Sequence, residues 1–398
     1  MSAIGVNFSP GPLRVLHVTP NLVPYGLQNI IAGLVTSLDR EAFSPAVVSL
    51  YAESAGGLEP ELRASGIPIF HLGKNRGLDL RMYPRLLRVV REFRPHIMHT
   101  HNYVLRYAYP VARVTRIPAV VHTVHNVAER EVDRVGRALH SFAFQRGVSA
   151  VTIADEVSSS FHRTYGFAEA ALIRNGIDVD RYAAPAVARA AWRRAVGVAE
   201  DDFVYLSVAR FSPQKDHQTL LRAFAQGPAR LAGTRLLLAG DGDLRGAIES
   251  SVQELGLAGK VTFLGRRTDM PEALAAADVF VLASRWEGNP LSVMEAMASG
   301  RPVVATAVGA LPELVRDGVD GFLSGPGDAA ALSRSMVKMR EMEPAALRAL
   351  GNSAAARARD RFGLSAMTCA YAQFYRWLLL CAGNSAEDFE RVLVRTTW

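Results

Sequence analysis

The chain has 398 residues, 49% hydrophobic and 21% charged, which is too long for one core and points to a soluble enzyme of two domains. Its two cysteines, Cys369 and Cys381, form no Cys-x-x-Cys pair, which argues against a disulfide framework or zinc finger and for a reducing compartment. Net charge is +7, yet no zinc-finger, aromatic ribonucleoprotein or basic-tail pattern accompanies it, so no nucleic-acid partner is expected.

Residues 1 to 12 read as a loose lead-in without the basic and apolar order of a signal peptide. Strands are predicted at Arg14–Thr19, Pro45–Leu50, Ile67–Leu72, His96–Thr100, Ala119–Thr123, Ala150–Ile153 and Ala171–Arg174. The Pro20–Asn29 segment reads as a turn-rich loop and Ile30–Leu38 as a helix. From Lys74 to Pro118 there are ten Lys/Arg against two Asp/Glu. Within it, Leu78–Phe93 alternates Leu80, Tyr83, Leu86, Leu87 and Val90 with Arg81, Arg85, Arg88 and Arg91. This basic amphipathic helix is either a docking face for an anionic membrane or for acidic substrates, or, more commonly, the solvated face of a helix covering a sheet. His99/His101 and His122/His125 each end a strand with no nearby Cys or Glu partner, so no metal is expected there.

Asn175-Gly-Ile-Asp178 closes the first set of strands, and Ala183–Val187 reads as the linker. Strands follow at Phe203–Ala209, Arg235–Ala239, Val261–Leu264, Val279–Ala283, Val303–Thr306 and Gly321–Ser324. Strands alternating with helices of ten or more residues predict α/β architecture with two doubly wound parallel sheets. The expected domains are 1–182, 183–363 and a last helix from 364 that crosses back onto the first. That helix, Leu364–Ala382, carries an aromatic stripe (Tyr371, Phe374, Tyr375, Trp377), read as packing. No apolar run reaches the roughly 18 residues that span a bilayer, so the protein is expected in the cytoplasm, at most peripheral on a membrane.

Ligands of such sheets bind beyond the carboxyl ends of the strands. In the first half those ends bring the Gly26 loop, His101/Asn102 and His125. In the second they bring Arg210, Asp241, Arg266, Glu287 and Thr306. Two such crevices facing each other predict an interdomain cleft. Arg210 and Lys215 lie five apart in one strand-to-helix loop, and both can reach one diphosphate. Asp241-Gly-Asp243 could hold magnesium, but reads better as a turn with Asp243 capping the next helix. In Ser284–Gly309, Glu287 falls in a loop, Pro290 in the first turn of a helix ending at Gly300, and Glu295 about a turn and a half along. Two carboxylates beside an anion-binding helix start suit a sugar phosphate.

Ser284–Gly309 with Pro312–Gly318, Val208–Phe224 and Ile173–Asp178 resemble glycosyltransferase family 4, whose Glu-x7-Glu signature would here be Glu287 and Glu295. The resemblance covers the chain from about residue 13 to 380 and implies the GT-B fold, with acceptor site in the first Rossmann-like domain and donor site in the second. It implies that Arg210 and Lys215 hold the nucleotide diphosphate, and that Glu287 meets the donor sugar and Glu295 the ribose. Gly26, Gly288, Asn289, Pro290 and Leu291 would contact sugar and phosphate, Arg266 the base, and His125 the transferred sugar. The first loop departs from the family pattern, keeping one glycine of two and Gln28 for an acid. Tyr25 and Gln28, with Asn102, are therefore assigned to the acceptor side. Asn289 replaces a residue often bulky and apolar, which bears on donor choice.

The activity so implied is retaining, metal-independent transfer of a hexose from a nucleoside diphosphate sugar to a hydroxyl of a glycan, lipid-linked glycan or small molecule. No cofactor is expected. Alternatives are a GT-B epimerase or phosphorylase, or a non-catalytic sugar-nucleotide-binding subunit.

Overall fold

The computed structural model describes residues 11–24, 26–166, 169–183 and 187–383. The chain divides into two compact units. One holds the residues up to Gly176 together with those from Leu364 onward, and the other is Ile177–Gly363.

The first unit is built on seven strands: β1 (Leu13–Thr19), β2 (Phe43–Ser49), β3 (Ile69–His71), β4 (Ile97–His101), β5 (Ala119–Val124), β6 (Val148–Thr152) and β7 (Ala170–Leu172). They pair in parallel in the order β3-β2-β1-β4-β5-β6-β7. Val15, Leu16, Val18, Val47, Val48, Ile97, Met98 and Val121 are wholly or nearly wholly buried, as expected of a parallel sheet covered on both faces. Against this apolar background β1, β4 and β5 carry a layer of histidines. His17 pairs in register with His99, and Thr100 and His101 with His122 and Thr123.

The helix Leu364–Gly383 belongs to this unit. Its Tyr375 hydroxyl is 2.7 Å from His99 Nδ1 and its Tyr371 hydroxyl 3.1 Å from Thr123 Oγ1. Both tyrosines are buried, so the tyrosines of the stripe pack on the sheet and hydrogen-bond His99 and Thr123 at the same time.

The second unit has β8 (Phe203–Val208), β9 (Thr234–Ala239), β10 (Val261–Gly265), β11 (Val279–Leu282), β12 (Val303–Thr306) and β13 (Gly321–Ser324), all parallel in the order β10-β9-β8-β11-β12-β13. The order reverses between β8 and β11, which makes their carboxyl ends the crevice of this sheet.

Three expectations shift. The division falls at 176/177 rather than 182/183, because Ile177 already bridges to Gly363 and donates its N–H to Phe362 O (2.8 Å). Residues 184–186 of the expected linker lie outside the described residues. The first helix is Gly26–Ser37, so Gly26 and Gln28 sit in its opening turn, not in a loop; the punctuation of Pro24 and Gly26 marks a helix start. The basic helix begins at Met82, because Asp79 accepts the Asn75 and Arg81 N–H groups and turns the chain just before it. Leu78 and Leu80 are thereby left out of the apolar face, 66% and 65% exposed.

Candidate active site

Because β8 and β11 are neighbours, the loops that follow them run side by side and are stitched together. Arg285 donates its N–H to Gln214 O (2.8 Å), Gln214 Nε2 donates to Trp286 O (2.9 Å), and Arg285 Nε reaches Asp216 Oδ2 (2.9 Å). Asp216, at φ +43°, in turn caps the helix His217–Gln226 by accepting from Thr219 N and Oγ1.

This stitching brings Lys215 onto Glu287. Lys215 Nζ lies 2.5 Å from Glu287 Oε1, and Ser284 Oγ donates to the same oxygen (2.5 Å). Gln214 Nε2 reaches Oε2 (3.3 Å). Glu287 is 3% exposed, a burial that an ionised carboxylate tolerates only with a counter-charge and hydrogen-bond donors in place. Behind it, Gly309 at φ +54° packs so tightly that a Cβ there would stand 2.0 Å from Glu287 O. Only glycine allows that approach.

Pro290 stands at the cap of the helix Leu291–Ala298 rather than within its first turn, as its extended ψ of 111° shows. Val293 in its first turn donates its N–H to Pro290 O (3.2 Å), and the N–H groups of Leu291 and Ser292 have no partner within the helix. Gly300, at φ +68° just past the Ser299 cap, ends it. Glu295 is buried in the second turn, with the Tyr182 hydroxyl hydrogen-bonded to it. Burial raises its pKa above the ordinary carboxylate value, against the opposing pull of Tyr182 and Arg181.

Arg210 follows β8 but turns to Asp243 Oδ2 (3.5 Å), with 56% of its side chain exposed. Asp243 does not cap the following helix. The turn closed by Arg245 N–H on Gly242 O (3.1 Å) takes up Asp243, and Leu244 is the residue before the helix Arg245–Glu254. Arg266 is exposed just beyond β10.

In the first unit, Gly26 is exposed and Gln28 buried; Tyr25 lies outside the described residues. Asn102 takes φ +56° directly after β4, a left-handed conformation that asparagine tolerates. His125 follows β5, its Nε2 2.9 Å from His101 Nδ1. His101 Nε2 is in turn 3.3 Å from His17 Nδ1. Burial lowers the pKa of His17 to about 3 and takes His101 well below its usual range, so this line of rings is neutral at neutral pH.

The structure thus brings Lys215 to Glu287 and pairs Arg210 and Glu295 with other partners. Gln214, Ser284, Asp216 and Tyr182, which complete these arrangements, were not singled out from the sequence. Gln214 and Asp216 flank Lys215 and Ser284 opens the Glu287 loop, so position alone could have nominated them. Tyr182 carried no such signal.

Comparison with known proteins agrees with the two-unit geometry. Residues 25–181 match the model of Glycosyltransferase Family 4 and residues 188–357 that of Glycosyl transferases group 1. The chain is 26% identical over 349 residues to the UDP-Gal:alpha-D-GlcNAc-diphosphoundecaprenol alpha-1,3-galactosyltransferase of Escherichia coli, covering 83% of this chain and 88% of that one. It is 27% identical over 298 residues to a glycogen synthase of Mycobacterium tuberculosis, covering 72% and 69%. Among solved structures, Anabaena HepE in complex with UDP and glucose superposes with a TM-score of 0.82 at 23% identity, over 92% of this chain and all of that one. With both parallel-sheet units matched in this way, the fold is GT-B and the chain belongs to the family 4 type of glycosyltransferases.

Proposed function

We propose that this glycosyltransferase moves a hexose from a nucleoside diphosphate sugar to a hydroxyl acceptor, with retention at the anomeric carbon and without a divalent cation. The observation that carries the reading is the Lys215–Glu287 pair, locked by Ser284 and Gln214 where the second sheet reverses. Breaking the anomeric bond builds negative charge on the departing diphosphate. Lys215, Arg210 and the N–H groups at the start of the helix Leu291–Ala298 supply fixed positive charge to meet it. Glu287, both of whose oxygens already accept hydrogen bonds, acts as an acceptor for sugar hydroxyls rather than as a nucleophile. The acceptor attacks on the face the diphosphate leaves, and a leaving phosphate oxygen takes its proton.

Glu295 receives the ribose hydroxyls, and Arg266 serves the base. In the first unit His125 contacts the sugar, while Gln28 and Asn102 serve the acceptor. The E. coli relative is named for UDP-Gal and a diphosphoundecaprenol-linked acceptor, and the HepE structure holds UDP and glucose; both support a UDP-hexose donor and a glycolipid or polysaccharide product. The test is thermal unfolding against UDP, GDP and dTDP sugars. A matching donor at about 100 times its Kd adds about 2.7 kcal/mol, a rise of roughly 5–10 °C in the transition it stabilises. If no nucleotide sugar moves the transition and none is turned over, the reading fails.

We also propose peripheral attachment to the cytoplasmic face of an anionic membrane, although among the described residues no helix is long and apolar enough to cross one. The basic helix Met82–Phe93 buries Met82, Leu86, Val89 and Val90 and exposes Arg88 and Arg91. Leu78 and Leu80 stand exposed just before it, a combination of apolar tips and cations that suits lipid headgroups. Arg85 is committed to the carbonyls of Leu72 and Gly73 and belongs to the packing. Charge reversal, R88E/R91E, changes the face by four charges and is expected to lower binding to vesicles with a third anionic lipid by roughly 10²–10³-fold, at roughly 1 kcal/mol per charge. Unchanged vesicle binding would remove the attachment.

A further inference from the structure

Behind β5, three side chains with no part in the proposed transfer turn polar atoms toward one another. They are His122 on β5, Glu131 at the end of the helix Ala128–Glu131 and His140 on the helix Arg134–Phe144. One ligand atom from each lies within 4.8 Å of the other two, and His122 Nε2 is 3.9 Å from Glu131 Oε2. His122 and His140 are 0% and 1% exposed, and the Glu131 side chain 1%. Yet His122 Nε2, Glu131 Oε2 and His140 Nδ1 all lack a hydrogen-bond partner. Buried polar atoms are rarely left so, and three of them on side chains whose ligand atoms gather within 4.8 Å indicate a shared partner.

The hydrogen bonds around the trio say what kind of partner it is. The Thr100 hydroxyl donates its one proton to Val121 O (3.0 Å), so toward His122 Nδ1 (2.9 Å) it can only accept. Neutral His122 therefore carries its proton on Nδ1 and points the Nε2 lone pair into the trio. Fixing one ring nitrogen so that the other is free to ligate is how proteins orient metal-binding histidines. Glu131 Oε1 is held by the His125 N–H (3.0 Å), which leaves Oε2 for the trio. Among the described residues Glu131 has no Arg or Lys at ion-pair distance; its one such neighbour is His122. A water would satisfy the lone pairs, but burial opposes ionisation of Glu131, pushing its carboxyl up to about 7, and a water does nothing to offset that. A cation satisfies both. Phe144, whose ring lies 5.9 and 6.1 Å from those of His122 and His140, closes the place with apolar surface.

We propose that His122, Glu131 and His140 supply three ligands to a divalent transition-metal cation of the zinc class, with a water in the fourth position, at a place distinct from the Lys215–Glu287 pair. Two imidazole nitrogens and one carboxylate oxygen are a ligand set that zinc accepts. At about 2.1 Å from each ligand, tetrahedral coordination places ligand atoms roughly 3.4 Å apart, so the trio closes by roughly an ångström on binding. The neighbouring pairs His99/His101 and His17 differ: both ring nitrogens of His99 and of His101 already have partners. No acidic partner stands near His122 in the sequence because Glu131 lies nine positions away, beyond a turn and a short helix. Through Glu131 Oε1, the cation also holds the backbone of His125.

The test uses the full chain, stripped with a chelator, reloaded with zinc sulfate and desalted. About one zinc per chain is expected by mass spectrometry, with a nitrogen- and oxygen-only first shell by X-ray absorption at the zinc edge. E131Q and H140Q, whose circular dichroism is compared with wild type, are expected to retain less than a tenth of that zinc. Folded wild type that holds no zinc overturns the proposal, as do folded variants that hold as much as wild type. Should neither variant fold, the wild-type edge spectrum decides: a sulfur-containing shell, or bound hydrated zinc alone, overturns it.

Discussion

Between pH 7 and pH 5.5 at fixed ionic strength, the first unit is expected to lose roughly 10 °C of thermal stability and the second about a third as much. His17, His99 and His101 are buried, and burial takes His17 to about 3 and the other two well below their usual range. In the unfolded chain each titrates near 6.5. A folded pKa below the unfolded one gives stability that is complete above 6.5 and lost as pH falls toward the folded value. Each ring then withdraws about 1.4 kcal/mol per pH unit, so these three withdraw about 4 kcal/mol by pH 5.5, and His125, which burial also takes to about 3, adds to the loss. That is a large share of a total stability of about 5–15 kcal/mol. A loss of that size moves the transition of a domain of this length by roughly 2–4 °C per kcal/mol. His217 is the one histidine between Ile177 and Gly363; burial takes it to about 4, so the second unit loses the share of one ring, about 1.4 kcal/mol. Calorimetry with hydrogen exchange to assign each transition reads the outcome, and equal acid sensitivity of the two units would contradict it.

Replacing Lys215 by alanine is expected to cost both turnover and stability, and a second change should separate the two. Lys215 is the counter-charge of a carboxylate whose side chain is 4% exposed. Its removal leaves Glu287 buried with only the Ser284 and Gln214 donors, a loss of about 3 kcal/mol. It also strips a fixed cation from the departing diphosphate, about 10³-fold in kcat, or about 4 kcal/mol of barrier. In K215A/E287Q the uncompensated charge is gone, so stability should return most of the way while turnover does not. If the double variant recovers activity as well, Lys215 is only a structural partner of Glu287 and the proposed transfer mechanism is wrong.

Most of the fold was legible because buried parallel strands leave short apolar runs between helices, and β12 and β13 occupy the residues expected of them. Boundaries were missed where a punctuation residue had two meanings. Gly26 opens a helix instead of closing a loop, and Asp79 stops the basic helix short of Leu80. In the site, Lys215 and Glu287 could be foreseen because strand order places β8 beside β11, and loops after adjacent strands must meet. Tyr182 beside Glu295, or Tyr375 beside His99, depends on packing between segments far apart in the chain, which periodicity does not encode. The His122, Glu131 and His140 grouping escaped for the same reason.

The return of Leu364–Gly383 to the first unit sets an order of assembly. A ribosome releases β1 to β7 first, but their histidine layer stays open until Tyr371 and Tyr375 emerge, the latter 276 positions after the His99 it covers. The later unit has all its own strands by Ser324 and its last helix by Arg361, so it can finish before the earlier one. The first sheet therefore stays partly unsealed until the twenty-residue helix Leu364–Gly383 has been made.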